Sequence, residues 1–553
     1  MSLTIPKDLR SAAFGELTLV LLNDVDVDRM LPHIFELTVK LGRTATSKTD
    51  PRLYDLYLER LATESPRIRG FADEQGRRFL DGWLRTSVVD FGRVGRHRRF
   101  EQMDHVRPLT IACYRAGLPK SRSRHRQADE LIYQLLVEGV RRRQLAAGQG
   151  DEHKPTRLVS DLIKRSFGRG IAFTPQPEWA PVCDDPTDMD ITALLAVSFL
   201  EGFDPVPGLS KERPERRSVV PAATDALGDD LLDYLTAYGH VLPAQVLTAH
   251  LSALISLRLM QLPLRLAGAL QHVLSTATLH NDMTDVQADN PLELYCDFTR
   301  NRASFSDELS RAAVQRDLDT MRGLFPHIIR LRVTRDAVRY LKEPDRDAAL
   351  LREPEDVLRL LELRDAPKVE LHSQMRLEEI RNATAAGEGT DDDLAYLDDI
   401  TSSSLSEVEQ LTNVLVEALR RRGVENIVKW FHSTGAITKP YGILEGTLSA
   451  RSTWRYAPSD ELLTAMLLVI FTEAGGGRVR GTMPIEIVLS RLRKRFGVLI
   501  DAPPADQEGA DARAAASANL DAFKRRLQLL GCFDSLSDDF SAQLVRRPLT
   551  EAL

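Results

Sequence analysis

Three groups of side chains in this 553-residue chain have the types and spacing to do chemistry. His280, Asn281 and Asp282, with His272 before them and Asp285 after, mix imidazole and carboxylate groups of the kind that hold a transition metal. A backbone turn there would let His280, Asp282 and Asp285 share one ion, as a metal-dependent nuclease requires. A helix end capped by Asn and Asp accounts for the same residues. Cys183, Asp184, Asp185, Asp188 and Asp190 form an acidic patch that suits a divalent cation, but their proline-rich surroundings favour a solvent-facing role.

The third group is cationic and falls into two clusters. Lys524, Arg525 and Arg526 share one expected helix, Arg493 and Arg495 another, and Arg546 lies on the tail. Arg96, Arg98, Arg99, Arg122 and Arg124 dominate a second cluster over 93–126, where Phe100 and Tyr114 are interleaved to stack on bases. Such groups contact phosphate, and Arg reads guanine edges. Solvated helix faces, or docking of an acidic partner, explain the same pattern.

Templates for other chemistry are absent. There is no G-x-S-x-G, no G-x-x-x-x-G-K-[ST] and no H-E-x-x-H. Gly475–Gly477 is followed by Arg478, not by the Lys of a phosphate-binding loop. No catalytic residue and no cofactor is assigned.

The elements that must position these groups are mostly helices. Leu, Ala and Arg are abundant and aromatics are only 6%, a mix that favours helix. Residues 1–150 read as an N-terminal helical domain that holds one basic cluster. Prolines punctuate 151–220, a linker region around one helix at 191–203. Residues 221–440 read as a central helical domain. Within it, Ala244–Leu259 and Leu264–Thr278 form a buried helical pair carrying Arg258 and Arg265, and Asp307–Leu324 and Arg335–Leu341 form separate helices.

Residues 441–553 have the order of a winged-helix-like domain. Ser459-Asp460-Glu461 starts a helix, Pro484 opens a second that stops at Gly497, and Gly531 ends a third. AQLVRRP supplies a closing strand. In winged helices the third helix commonly enters the major groove. The fold class expected is mainly α, a multidomain helical protein ending in a winged-helix-like domain.

Bulk properties narrow the partners. The net charge is -7 at pH 7, so the chain is no basic coat for nucleic acid, and any polyanion site is a local patch. Cys113, Cys183, Cys296 and Cys532 are isolated, which fits a reducing cytoplasm. No signal peptide or membrane span is read.

RSTWRYAPSDELL (451–463), RLRKRFGVLID (491–501) and NLDAFKRRLQLLGCFDSLSDDFSAQLVRRPL (519–549) resemble the tails of proteins from bacterial anti-phage defence islands. The methylation-associated defence system is the nearest match, with an echo in GWLRTSVVDFGRVGR (82–96). That resemblance implies an accessory, sensing or scaffolding subunit whose partners hold the chemistry. It assigns no site residue. The expected function is therefore a non-catalytic subunit that contacts double-stranded DNA or docks other proteins of its defence system. A nuclease acting through His280, Asp282 and Asp285, and a dimeric transcriptional regulator, are the alternatives.

Overall fold

The structure, a computed structural model, describes residues 3–549 apart from 44–49, 51, 95–99, 107–123, 149–153, 176–178, 205–215, 285–289, 343, 388 and 534–542. Helices dominate, and the strands among the described residues pair only in twos. The principal helices, in chain order, are α1 (Leu31–Val39), α2 (Ala128–Ala146), α3 (Pro221–Tyr238), α4 (Ala244–Thr276) and α5 (Phe305–Val338). They continue with α6 (Glu407–Thr434), α7 (Asp460–Phe471), α8 (Ile485–Phe496) and α9 (Ala510–Leu529). The strands used below are β1 (Val89–Val94), β2 (Phe100–Val106), β3 (Leu294–Tyr295), β4 (Thr482–Pro484), β5 (Val498–Leu499) and β6 (Leu544–Arg546).

Helix starts follow local chemistry. The hydroxyls of Ser304, Ser406 and Ser459 accept from the backbone N–H of Asp307, Glu409 and Leu462, satisfying an amide that the helix leaves unpaired. The last of these is the start expected at Ser459. Gly497 ends α8 with φ at 66°, and a Cβ there would lie 2.8 Å from the Leu292 carbonyl oxygen. Only glycine suits that position, because β5 turns immediately to pair in parallel with β3.

Two long helices differ from the broken ones expected. α4 runs through Pro263 and α5 runs through Pro326. A proline inside a helix removes one N–H bond and costs about 3 kcal/mol. In α4 that cost is met by burial: Leu257, Leu259, Leu262, Leu264 and Leu266 are each at most 5% exposed. Each buried leucine contributes about 1.5–3 kcal/mol. By length and composition α4 would cross a bilayer, but it is sheathed by protein and forms the central rod of the core.

The main apolar core runs from Ile5 to Val545 and draws on all nine principal helices. α5 packs most extensively on α6 and α4, and α3 lies between α2 and α4. A second, smaller core joins the helices Tyr54–Glu64 and Glu74–Ser87, the β1–β2 hairpin and the helix Ile191–Glu201. There the Tyr57 and Phe203 rings stack with centroids 4.1 Å apart.

The C-terminal elements are rooted in the centre of the molecule. β6 pairs antiparallel with β4, and Phe533 bridges to Val545. Asn519 of α9 is fully buried and donates to the carbonyls of Cys296 (2.9 Å) and Ile500 (3.0 Å). Its own Oδ1 accepts from the Phe298 amide at 2.7 Å. One side chain thus ties α9 to both strands of the β3–β5 pair.

Between α3 and α4, the buried His250 ring meets the Tyr234 hydroxyl through Nδ1 at 2.7 Å. Burial pushes the imidazole down to about 4. An unfolded histidine titrates near 6.5, so this contribution is whole above about pH 6.5 and is lost as pH falls toward 4. Denaturant titrations at pH 7 and pH 4.5 should show acid destabilisation of which about 2–3 kcal/mol disappears in His250→Gln.

Candidate functional site

Charge is concentrated where α2, α3, α4 and α8 converge. α3 offers Asp225, Asp229, Asp230 and Asp233 on one face, at helical spacing. α2 offers Arg142 and Arg143 near its C-terminal end, α4 offers Arg258 and Arg265, and α8 offers Lys494 and Arg495. Arg258 Nε donates to Asp230 at 2.6 Å, and Arg495 spans Asp230 (2.6 Å) and Asp233 (2.7 Å). Arg143 reaches Asp233 at 2.9 Å, and Arg142 reaches Asp225 at 3.0 Å and Asp229 at 3.2 Å. Gln261 bridges Arg258 to the Phe496 carbonyl.

Burial sets the electrostatics of this network. Arg258 is 2% exposed, and desolvation pulls its guanidinium down while the Asp230 carboxylate holds the charge in place. Burial acts the same way on Arg495, but Asp230 and Asp233 outweigh it and raise its pKa. The Asp225 carboxyl is pushed up to about 6 by desolvation; Arg142 opposes that and Asp229 adds to it. A cavity of about 550 Å³ opens beside the network, lined by six basic and three acidic side chains together with Ala222, Ala226 and Gly475. A neighbouring cavity of about 560 Å³ shares Asn290 and Lys494 with it and is lined by Arg493, Glu293, Glu486 and Asp501.

The structure disperses the candidate nucleic-acid contacts. Arg495 belongs to the network just described. Arg526 makes a two-pronged ion pair with Asp460 in the first turn of α7. Lys524 is 19% exposed and lies 4.0 Å from Asp521. Arg493 is exposed at 57% and lies 3.5 Å from Glu293. Arg525 and Arg546 are exposed, the latter with its backbone N–H on the Cys532 carbonyl. In the other cluster Arg124 pairs with Asp24, which Arg126 also engages. Arg96, Arg98, Arg99 and Arg122 lie outside the described residues.

The metal-like groups resolve partly. The His272 and His280 rings meet edge to face with centroids 5.2 Å apart, and His272 Nε2 lies 3.1 Å from the Thr278 hydroxyl. Asp285 and the Asp282 side chain lie outside the described residues. In the acidic patch, Asp185 accepts from Thr187 N–H and Asp190 from the amides of Thr192 and Ala193, so both cap helical turns. A buried trio, His33, His125 and Asp129, has its ligand atoms within 4.8 Å of one another. One Asp129 oxygen faces both imidazoles, at 3.0 Å from His125 Nδ1, and His125 Nε2 meets the Arg29 carbonyl. Burial would raise the Asp129 carboxyl, but the two imidazoles hold it well below the usual carboxylate range.

The family model for the methylation-associated defense system protein MAD7 matches residues 7–549. The chain belongs to the MAD7 family. It is thus a defence-system protein, and the family extends across both cores, not only the tail that carries the resemblance. No curated protein matches the chain.

In this MAD7-family chain, the two features that sequence reasoning missed are the charged cavity and the His33–His125–Asp129 trio. Arg258 and Arg265 inside an otherwise apolar stretch were the available signal for the cavity. The trio had none, because His33 and His125 are far apart in the chain. Removing the shared carboxylate in Asp230→Ala should cost about 3–5 kcal/mol in guanidinium denaturation, since it leaves the buried Arg258 without its carboxylate partner. Asp460→Ala, at a partly exposed pair, should cost about 1 kcal/mol or less in the same measurement.

Proposed function

We propose that this protein is a non-catalytic docking subunit of the methylation-associated defence system, with anti-phage activity residing in the assembly. The observation behind this is the exposed stripe of α9. Ala514, Ala518, Asp521, Arg525 and Leu529 recur at three- and four-residue spacing and all face solvent, with Ser517 alongside. Small and neutral residues let a partner's backbone approach closely. Leu529 is 77% exposed, and Ile487 and Leu544 add apolar surface on the same group of C-terminal elements. Lys524 and Arg526, the neighbours that would make the helix cationic, are held in ion pairs.

Three helices over 460–529 with the β4–β6 pair support a winged-helix-like arrangement, although β5, between α8 and α9, pairs outside it with β3. Winged helices serve both as DNA readers and as protein-docking modules. Contact with double-stranded DNA is the second reading, favoured by the exposure of Arg493, Arg525 and Arg546.

Co-expression with the other proteins of the system should yield a stable complex on size exclusion. Ala518→Arg with Leu529→Glu should abolish it while leaving the melting temperature within about 2 °C of wild type, as surface changes do. Failure of the wild-type chain to co-purify with any of them would overturn the docking reading. The DNA reading predicts duplex binding that weakens steeply with salt, with a shallower slope in Arg493→Ala/Arg525→Ala/Arg546→Ala.

A further inference from the structure

We propose that His33, His125 and Asp129 hold a divalent transition-metal ion, zinc by the character of the ligands. This goes beyond the docking role and does not depend on it.

The three side chains come from two elements. His33 lies in the first turn of α1, Asp129 in the first turn of α2, and His125 just before it. Arg126 and Gln127, between the last two, both take the left-handed backbone that residues other than glycine avoid, with φ of 54° and 68°. That turn brings the His125 ring back onto the Asp129 carboxylate. Backbone bonds from the Leu21 amide to the Arg126 carbonyl and from the Asp26 amide to the Arg124 carbonyl hold it in place. The trio is enclosed by protein, with Asp129 only 1% exposed.

An accounting of protons decides what lies between these groups. A carbonyl only accepts, so His125 Nε2, 3.1 Å from the Arg29 carbonyl oxygen, carries the ring's proton. Nδ1 of the neutral ring is then a lone pair, and it faces Asp129 Oδ2 from 3.0 Å. Two lone pairs at that distance need a cation between them. His33 repeats the pattern. Its Nδ1 touches the same Oδ2, yet neither of its nitrogens makes a hydrogen bond among the described residues. Its Nε2 lies 3.7 Å from a Glu36 oxygen, and Glu36 also engages Lys40. Protons alone would charge the buried His125 ring and still leave both His33 nitrogens unsatisfied. One divalent ion accepts the lone pairs of both imidazoles and of the carboxylate. The outer nitrogens then face a carbonyl and a carboxylate, the partners that orient metal-bound imidazoles.

The ligands set the class of metal. Imidazole nitrogens suit zinc and its neighbours, whereas calcium and magnesium take oxygen. All the ligand atoms lie within 4.8 Å of one another. Zinc bonds of about 2.0–2.2 Å place tetrahedral ligand atoms about 3.3–3.5 Å apart, within a few tenths of an ångström of the His125–Asp129 spacing. Three protein ligands leave the fourth position to water. An ion here joins α1 to the start of α2, so its binding adds to the stability of that pair.

The test is calorimetric titration of the full-length protein, stripped with a chelator, with zinc chloride. One ion per chain is expected, with a dissociation constant below about 1 µM and a melting temperature raised by a few degrees at saturation. His33→Gln and His125→Gln should each weaken binding at least about 100-fold, and Glu36→Gln, which alters only the outer partner of His33, about tenfold. X-ray absorption on the zinc-loaded wild type reads the ligands even where a variant fails to fold. It should show two imidazoles, only nitrogen and oxygen at about 2.0–2.2 Å, and no sulfur. Absence of zinc uptake by folded wild-type protein, a sulfur shell or missing imidazoles in the absorption spectrum, or binding undiminished in both histidine variants would overturn the proposal.

Discussion

Asp230 and Asp233 hold the molecule's midpoint together. They receive cations from α2, α4 and α8 on a single face of α3, so helices drawn from three widely separated stretches of chain are fixed by two carboxylates. Arg258 is enclosed by protein and cannot leave for water. The ion pair is therefore obligatory more than stabilising in the net sense, because well-packed apolar residues would serve stability as well. What the pair secures is register: α8 has one placement at which Arg495 reaches both carboxylates and Gln261 reaches the Phe496 carbonyl.

That constraint passes to the C-terminal elements. Once α8 is fixed, Gly497 must turn, β5 must pair with β3, and Asn519 must find the Cys296 and Ile500 carbonyls. α9 is then anchored on its buried side by Asn519 and Phe523, which leaves the opposite stripe facing solvent. A rigid, rooted helix with a neutral outer face is suited to a contact surface, since little conformational freedom remains to be lost on docking.

Membership of the MAD7 family places the chain among proteins of a methylation-associated defence system. The family match spans the small core of residues 54–106 and 195–203 as well as the main one. The helix Ile191–Glu201, which proline-rich flanks made look like part of a linker, supplies Leu195, Phe199 and Leu200 to that small core. Its N-terminal turn is capped by Asp190, so a residue that could have belonged to a cation site has a structural task.

The sequence by itself determined what short-range physics controls. Leu- and Ala-rich segments with helical spacing made the chain mainly helical. Ser459 and Gly497 marked helix ends correctly, because caps and left-handed turns depend on neighbouring residues alone. The tail motifs pointed to the defence system. Tertiary structure decided the rest. Pro263 looked like a break, and only burial on all sides of α4 made the helix continuous. Arg493, Arg495, Arg525 and Arg526 are alike as letters, but Arg495 meets two carboxylates 262 or more positions away while Arg525 faces solvent. Whether a cation is committed to an internal partner depends on long-range packing. Charge density along the chain carries no trace of that.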